Sequence, residues 1–468
     1  MFRRSRATPW HVEILEPRQM LSFSATDVGA VSLAAINNLG VAAGTANNHA
    51  AVERNGALID LGTLGGVTSR ANAINDLGQV VGSADLPGGT HHAFLITPQD
   101  TTGDGQPDVW FRDDDQNGVN DLMTDLGTLG GPNSESFFGP NERGQAAGVS
   151  ELSTPDPNGE DFCGFGTHLR CLPFLWQFGI MQPLLLLGGN NGQANDVNNR
   201  GEAAGWTETA DADLACPAPQ VLQFRPAVWR RGKVYELPTF SGDKDGIAYT
   251  VNDKGQAVGG SGSCATFDPD YGAPLQPQHA LLWEGGRVIN LGNLGGTLNN
   301  IAFTINNAGE VGGTSGIAGN IAHHAFLWQD GVISDLGALP GDVNSGALGV
   351  SRGQVVGASF DASENSRAFL WQNGVMTDLN DLVSGGPPLF LLQASAINSQ
   401  GQIAGFALRT DTGEVHAFLA VPDENDEEIA PRPKISVGPN VILRDHIRKL
   451  LHGGLHLVRL GGVTEDAQ

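Results

Sequence analysis

The sequence is short of charge, of aromatic residues and of anything able to span a bilayer as a helix. Charged residues are 16% and aromatics 7% of its 468 positions, against roughly 25% charged in an ordinary domain. Basic residues are scarcest: 26 Lys and Arg face 51 Asp and Glu, for a net charge of −25. That balance excludes a general nucleic-acid binder, which needs basic stripes to displace counterions from phosphates. No run approaches the about 18 apolar residues of a membrane-spanning helix. No Gly-X-Y period exists, so the chain is not collagen-like. There is no phosphate loop or dinucleotide fingerprint. The four cysteines form no Cys-x-x-Cys pair, which argues against a zinc site. Between residues 24 and 421 no segment has a convincing 3.6-residue apolar period, so a helical body is excluded as well.

Glycine is abundant, at 65 residues, and it is not scattered. It marks an internal repeat whose most regular part reads apolar–Asn–x–x–Gly–x–x–x–Gly. The copies are Ile36-Asn37…Gly40…Gly44, Ile74-Asn75…Gly78…Gly82, Pro140-Asn141…Gly144…Gly148, Val197-Asn198…Gly201…Gly205, Val251-Asn252…Gly255…Gly259, Ile305-Asn306…Gly309…Gly313 and Ile397-Asn398…Gly401…Gly405. An eighth copy, Val350-Ser351-Arg352-Gly353…Gly357, is one residue short in the turn and has Ser for Asn. Two pieces follow each marker. One is His-Ala-Phe-Leu-Trp or a variant, as at His92–Leu95 and His324–Trp328. The other is Asp-Leu-Gly-Thr-Leu-Gly-Gly, as at Asp60–Gly66 and Asp125–Gly131.

The local physics is that of strands. Asn closes an Asx-turn, and the Gly three residues on takes a positive φ without steric cost. The Asn-x-x-Gly segment between two short apolar runs is therefore a hairpin turn. His-Ala-Phe-Leu-Trp is a third strand, and the apolar stretch ending in Asp-Leu-Gly is a fourth. Four antiparallel strands in about 50 residues, repeated eight times, spell a β-propeller. We expect an all-β fold of eight four-stranded blades over residues 23–421, with seven blades as the alternative. The last unit stops after its third strand, at Val415–Val421. Ser24–Gly29 matches the fourth-strand pattern of Thr124–Gly127, so the N-terminal segment is expected to complete the last blade and remove an exposed edge.

The His-Ala-Phe triplets and Asp-Leu-Gly-Thr-Leu-Gly-Gly strings resemble the HAF family of extracellular repeats over nearly all of 24–421. The resemblance implies a secreted or surface location and no particular activity. Around the triplet, Pro173, Pro226 and Arg367 depart from the pattern. The N-terminal segment 1–22, with Arg3-Arg4-Ser5-Arg6 and Leu15-Glu16-Pro17-Arg18-Gln19-Met20-Leu21, resembles the LEPR-XLL segment of exported bacterial proteins. No apolar h-region follows the arginines, so it is not an ordinary signal peptide.

The strongest site signal is an insertion at 97–124, between the third and fourth strands of the second repeat. Asp100, Thr102, Asp104 and Asp108 form one half, and Asp113, Asp115, Asn117 and Asp121 the other. Both halves place oxygen donors at loop positions 1, 3, 5 and 9 with Gly at 6, and the carbonyls of Gln106 and Val119 fall at position 7. Ca²⁺ takes six to eight oxygens, and this spacing wraps them around one point. The halves resemble the Asp-rich loops of thrombospondin type-3 and dockerin repeats. Position 12 holds Phe111 and Thr124 rather than Glu, so Asp113 or Asp125 is expected to close the shells.

Cys163, Cys171, Cys216 and Cys264 fall in long loops between second and third strands of neighbouring repeats. An even count on adjacent blades suits disulfides in an oxidising compartment, with Cys163–Cys171 and Cys216–Cys264 as the expected pairs. His49, His92, His279, His324 and His416 recur once per blade and so are too far apart to share a metal; each is expected to make a structural hydrogen bond within its blade. Gly349-Val350-Ser351-Arg352-Gly353 spells the hydrolase pattern Gly-x-Ser-x-Gly, but in a strand-to-strand turn rather than a strand-to-helix elbow.

The charge is unevenly placed. Residues 1–22 carry four Arg and two Glu (+2), and 429–468 carry six basic and three acidic residues (+3), which leaves −30 for 23–428. An acidic and Pro-containing linker at 422–435 leads to a short tail at 436–468. There Leu443, Ile447, Leu450 and Leu451 fall at helical spacing opposite Arg444, Arg448 and Lys449, a basic amphipathic helix suited to the acidic body, a partner or a membrane surface. No catalytic residue stands out. The reading is a secreted or cell-surface bacterial propeller that binds a protein or glycan partner or serves as a scaffold, stabilised by Ca²⁺. Loop length directs attention to Gly148–Pro173, Gly205–Pro226 and Gly259–His279. The alternative is an extracellular hydrolase or lyase with its site at the central channel. It needs convergent acids at a channel mouth where the repeats are expected to place Gly, Ala, Asn and Thr.

Overall fold

The computed structural model describes residues 22–216, 220–264, 277–383 and 387–423. The N-terminal arginines, most of the acidic linker and the amphipathic tail lie outside them. Eight four-stranded antiparallel sheets form an eight-bladed propeller. Blade 1 is Val31–Ile36, Ala42–Ala46, His49–Arg54 and Ala57–Asp60, running from the innermost strand to the outermost. Blades 2 to 7 repeat this order, opening at Ser69, Ser134, Gly188, Asp245, Ile301 and Asn344. Blade 8 supplies Leu389–Ile397, Ile403–Arg409 and Val415–Pro422 from the C-terminal side, and Phe23–Gly29 is its outermost strand. The register of that closure runs from Phe23 against Pro422 to Gly29 against Ala417. The expected latch is therefore present.

The two glycines of the repeat have different jobs. The first sits in the Asn turn at positive φ, as at Gly78 (75°). The second lies in the second strand where there is no room for a Cβ. At Gly148 it would sit 2.0 Å from the Glu135 carbonyl oxygen and 2.7 Å from the Phe174 ring. That ring is the aromatic of the third strand, paired across from the glycine. The equivalent Phe94, Phe326, Phe369 and Phe418 are also fully buried. Each contributes about 1.5–3 kcal/mol by leaving water, and the missing Cβ is what lets the ring lie flat on the sheet.

Each inner strand also carries a register shift, for example Leu33/Ala35 in blade 1 and Ala394/Ala396 in blade 8. Such a bulge increases local twist. The short turn of blade 7 is a two-residue hairpin with Arg352 and Gly353 both at positive φ (51° and 75°) between the paired Ser351 and Gln354, the geometry of a type I′ turn. Ser351 is thus a hairpin residue and not a nucleophile on an elbow.

Candidate functional site

Strand alternation sorts the loops onto two faces. Turns between first and second strands share a face with connections between third and fourth strands. The cysteine-bearing loops share the other face with the connections between blades.

The first face is built around a ring of asparagines. Each turn Asn accepts two backbone N–H groups of its own turn; Asn37 Oδ1 accepts from Leu39 and Val41. Its amide then donates to the backbone carbonyl of the next blade's Asn: Asn37 to Asn75, Asn75 to Asn141, Asn141 to Asn198, Asn198 to Asn252, Asn252 to Asn306, and Asn398 to Asn37, all at 2.8–3.0 Å. The following residue makes a second ring. Asp76 accepts the Asn38 N–H, Glu142 that of Asp76, Asn199 that of Glu142, Asp253 that of Asn199 and Asn307 that of Asp253. This corrects the expectation that only neutral small residues stand at the channel mouth: Asp76, Glu142 and Asp253 are there. Burial raises the Glu142 pKa, and the Asp76 and Asp253 charges add to it. The acids are spent on backbone donors, and no histidine is within their hydrogen-bonding network among the described residues.

The Asp-rich insertion lies on this face, and its two halves fold alike. Positions 4 and 6 have positive φ in both: Gly103 (75°) and Gly105 (83°), then Gln116 (59°) and Gly118 (83°). The first-position carboxylates turn inward onto the loop. Asp100 accepts from the N–H groups of Gly103 and Gly105, and Asp113 from those of Asn117 and Gly118. The ninth-position acids close each loop, Asp108 onto Thr101 and Thr102, and Asp121 onto Asp114. Asp104 and Asp115 accept from Gln106 and Asn117, and Asn117 Oδ1 accepts from Val119. The backbone donors of Gly105 and Thr101 lower the pKa of Asp100 and Asp108. Asp125, an expected shell-closing residue, is engaged with His92 at 2.9 Å and with the Gly127 N–H. The insertion is seated by Trp110, fully buried, whose Nε1 donates to the Gly78 carbonyl at 2.8 Å.

The histidines are blade fasteners. His49 pairs with Asp60, His92 with Asp125, His324 with Asp335 and His416 with Asp27, at 2.7–3.0 Å. The Asp of Asp-Leu-Gly is the partner in the first three, and Asp27 of the N-terminal strand takes its place in blade 8. In blade 5 that position is Asn290, and His279 turns to Asp243 at 2.7 Å. In blade 7 Arg367 takes the place of His and binds Asp342 and Asp378.

On the second face, blades 3 and 4 depart from the repeat at two prolines. In blades 1, 2 and 6 a Ser at the start of the next blade accepts the N–H of the triplet's Ala: Ser69 from Ala50, Ser134 from Ala93 and Ser345 from Ala325. Pro173 and Pro226 stand at that Ala position and have no N–H. The bond to the N–H two residues upstream is kept, as Asn133 makes it to His91 and Asn344 to His323: Asn191 Oδ1 takes Cys171 N–H and Asp245 Oδ1 takes Phe224 N–H, each at 3.0 Å.

The disulfides Cys163–Cys171 and Cys216–Cys264 form as expected, with Cα separations of 5.8 and 5.5 Å. Cys171 lies within a third strand, Leu169–Gln177, rather than in the loop. Beneath these loops sits a layer of buried carboxylates that no sequence motif singles out. Glu151, Glu160, Glu208, Asp213 and Asp245 are each at most 2% exposed. Burial, and then the adjacent Glu160 charge, raise the Glu208 pKa. Burial raises Glu160 as well and pushes Asp245 up to about 6.

No family model and no curated protein matches the chain. Among solved structures it is similar to Porphyromonas gingivalis dipeptidyl peptidase 4, at 9% identity and a TM-score of 0.43 over 91% of this chain and 61% of that one. It is similar to a Trypanosoma rangeli sialidase at 10% identity and a TM-score of 0.29, over 80% of this chain and 57% of that one. A Xanthomonas campestris gluconolactonase, XC5397, matches at 12% identity and a TM-score of 0.26, over 55% of this chain and 82% of that one. The chain thus spans about three fifths of the length of the peptidase and the sialidase.

Proposed function

We propose that the protein is a non-enzymatic, secreted or surface-associated propeller of the HAF-repeat kind, which presents the elongated loops of blades 3 to 5 to a protein or glycan partner. The observation that carries this reading is that both disulfides tie down the described parts of the blade 3 to 5 loops, of which 217–219 and 265–276 lie outside the described residues, since disulfides belong to oxidising compartments. Calcium completes the picture on the opposite face. The residues that would hold it are Asp100, Thr102, Asp104 and Asp108 with the Gln106 carbonyl, and Asp113, Asp115, Asn117 and Asp121 with the Val119 carbonyl. The ion would supply rigidity there, and the matched backbone conformations of the two halves support that assignment.

The alternative is a hydrolase or lyase working at the channel, and its support is the Asp76, Glu142 and Asp253 carboxylates at one mouth. Each is tied to a backbone N–H of a neighbouring blade, which favours the scaffold. A glycan array and a panel of bacterial envelope fractions, probed with the calcium-loaded full chain, test the proposal. Binding that is lost when the loops Gly148–Pro173, Gly205–Pro226 and Gly259–His279 are shortened supports it. Turnover of a glycoside or ester abolished by Glu142→Gln overturns it.

A further inference from the structure

The repeat supplies its own control for one pair of buried acids. Asp156 and Asp213 occupy equivalent places, five residues after Glu151 and Glu208, and each accepts an N–H two residues on, from Asn158 and Ala215. Asn191 and Asp245 are likewise equivalent, each opening the inner-strand region of the next blade. Between blades 3 and 4 the pair is satisfied: Asn191 Nδ2 donates to Asp156 Oδ2 at 2.9 Å. Between blades 4 and 5 the Asn is an Asp, and the donor is gone. Asp213 Oδ2 is the atom equivalent to the one Asn191 serves, and it is buried without a partner. The Asp213 side chain is 0% exposed, and Asp245 is 0% exposed.

Asp245 Oδ1 is used by Gln220 and Phe224. Among the described residues its Oδ2 has only the sulfur of Cys216, 4.0 Å away. A ligating atom from each of Asp213, Cys216 and Asp245 lies within 4.8 Å of the other two. Among the described residues, positive charge reaches the pair from Lys244, on Asp213 Oδ1 at 3.1 Å, and from Arg225, which acts on Asp245 at longer range. Two carboxylates desolvated together without a donor between them are costly unless something cationic joins them.

We propose that Asp213 and Asp245 bind a hard divalent cation that joins blades 4 and 5 beside the Cys216–Cys264 disulfide. The sulfur of Cys216 is covalently committed to Cys264, and the Ser263 carbonyl lies 3.3 Å from it. The lining is therefore oxygen, which suits calcium or manganese rather than zinc. This site is separate from the insertion loops in sequence and face, so the two stand or fall apart.

Calcium is the probe, and the full chain carrying Asp100→Asn and Asp113→Asn is the background in which the insertion loops are disabled. Titration calorimetry of that variant is expected to show one calcium per chain, and calcium is expected to raise its Tm. Asp245→Asn added to it removes both responses. In the absence of metal the same substitution raises Tm, because the new amide reproduces what Asn191 does for Asp156. Asp213→Asn is the second route to the same loss should Asp245→Asn fail to fold. Absence of calcium heat in the insertion-disabled variant, or a calcium response that survives in the folded Asn variant, overturns the proposal; in the first case the pair holds a proton only. If the parent binds calcium and the insertion-disabled variant binds the same number of ions, it is the insertion assignment that fails.

Discussion

The side-chain amide of Asn398 donates to the backbone carbonyl of Asn37, 361 positions earlier in the chain, at 2.9 Å. It is the link that carries the asparagine ring across the join between the last blade and the first. The ring is incomplete at blade 7, where Ser351 replaces Asn, so Asn306 has no following Asn carbonyl and its amide keeps only the within-turn bond to Glu310, which Asn198 also makes to Glu202. A measurable asymmetry follows. Asn198→Ala removes both the turn bonds and the inter-blade bond to Asn252. Asn306→Ala removes turn bonds alone. The first substitution is expected to cost about 1 kcal/mol more than the second, the net worth of one buried hydrogen bond. Urea midpoints at unchanged slope read the difference, and equal losses would remove the ring from the stability argument.

Asp27 and Asp60 occupy the same place in the repeat, but in different surroundings. The Asp60 side chain is 61% exposed and holds His49. The Asp27 side chain is 13% exposed and holds both His416 (2.7 Å) and Arg409 (3.0 Å), fixing the N-terminal strand onto blade 8. Screened surface pairs are worth little, whereas buried charge-assisted bonds are worth about 1.5–3 kcal/mol each. Asp60→Ala should therefore change stability by less than about 1 kcal/mol. Asp27→Ala should cost on the order of 2–3 kcal/mol and increase proteolysis ahead of Val31. Similar effects from the two would mean the latch is held by its strand pairing alone.

The reach of the sequence can be judged from these same residues. Blade number, the completing role of Ser24–Gly29 and both cysteine pairs could be read because they depend on periodic signals: Asn turns, glycines and strand-length apolar runs. The His fasteners were legible as structural, though their partner, the Asp of Asp-Leu-Gly, emerges only when third and fourth strands lie side by side. The buried acids were not legible. Glu208 and Asp245 look like any loop-flanking acids in a chain of net charge −25. What singles them out is burial beneath the loops of blades 3 to 5, with Asp245 in the place that Asn133, Asn191 and Asn344 hold in other blades, a setting visible only in three dimensions. The acids of the second ring were missed for a related reason, since the residue after each turn Asn varies from blade to blade and has no pattern of its own.

Glu208 makes stability depend on pH. Its Oε2 accepts the N–H groups of Asn190 and Asn191 at 2.8 Å, while its Oε1 is buried without a partner. Burial and Glu160 raise its folded-state pKa above the ordinary 4.5. The folded state thus holds a proton that the unfolded chain releases. The stabilising contribution is fully present below the ordinary value and is lost as pH rises from there through the raised pKa. Wild-type protein is expected to lose on the order of 2 kcal/mol between pH 5 and pH 8 from this pair, since each tenfold difference in proton affinity between folded and unfolded chains is worth about 1.4 kcal/mol. Glu208→Gln, which keeps the acceptor and stays neutral, should flatten that part of the profile. A variant whose stability falls with pH as steeply as the wild type would show the loss to come from elsewhere.

Trp110 ties the Asp-rich insertion to the propeller. The indole is fully buried, donates to the Gly78 carbonyl and lies under the Arg54 guanidinium at 5.5 Å. Asn120 fastens the same segment, donating to the carbonyls of Leu61 and Trp110 while accepting from the Arg112 and Leu122 N–H groups. These bonds hold the second loop from within, because Asn120 lies between the proposed calcium ligands Asn117 and Asp121. Large-to-small substitution of a buried Trp costs about 3–5 kcal/mol. Trp110→Ala is expected to release the insertion, seen as trypsin cleavage at Arg112, and to weaken calcium binding by the loops while leaving the eight blades folded by circular dichroism. Gly78→Ala should act in the same direction, since a Cβ there would stand 2.9 Å from Pro107 and 3.1 Å from the Trp110 ring. Unchanged calcium affinity with Arg112 exposed to protease would mean that the two Asp-rich halves organise themselves without the propeller beneath them.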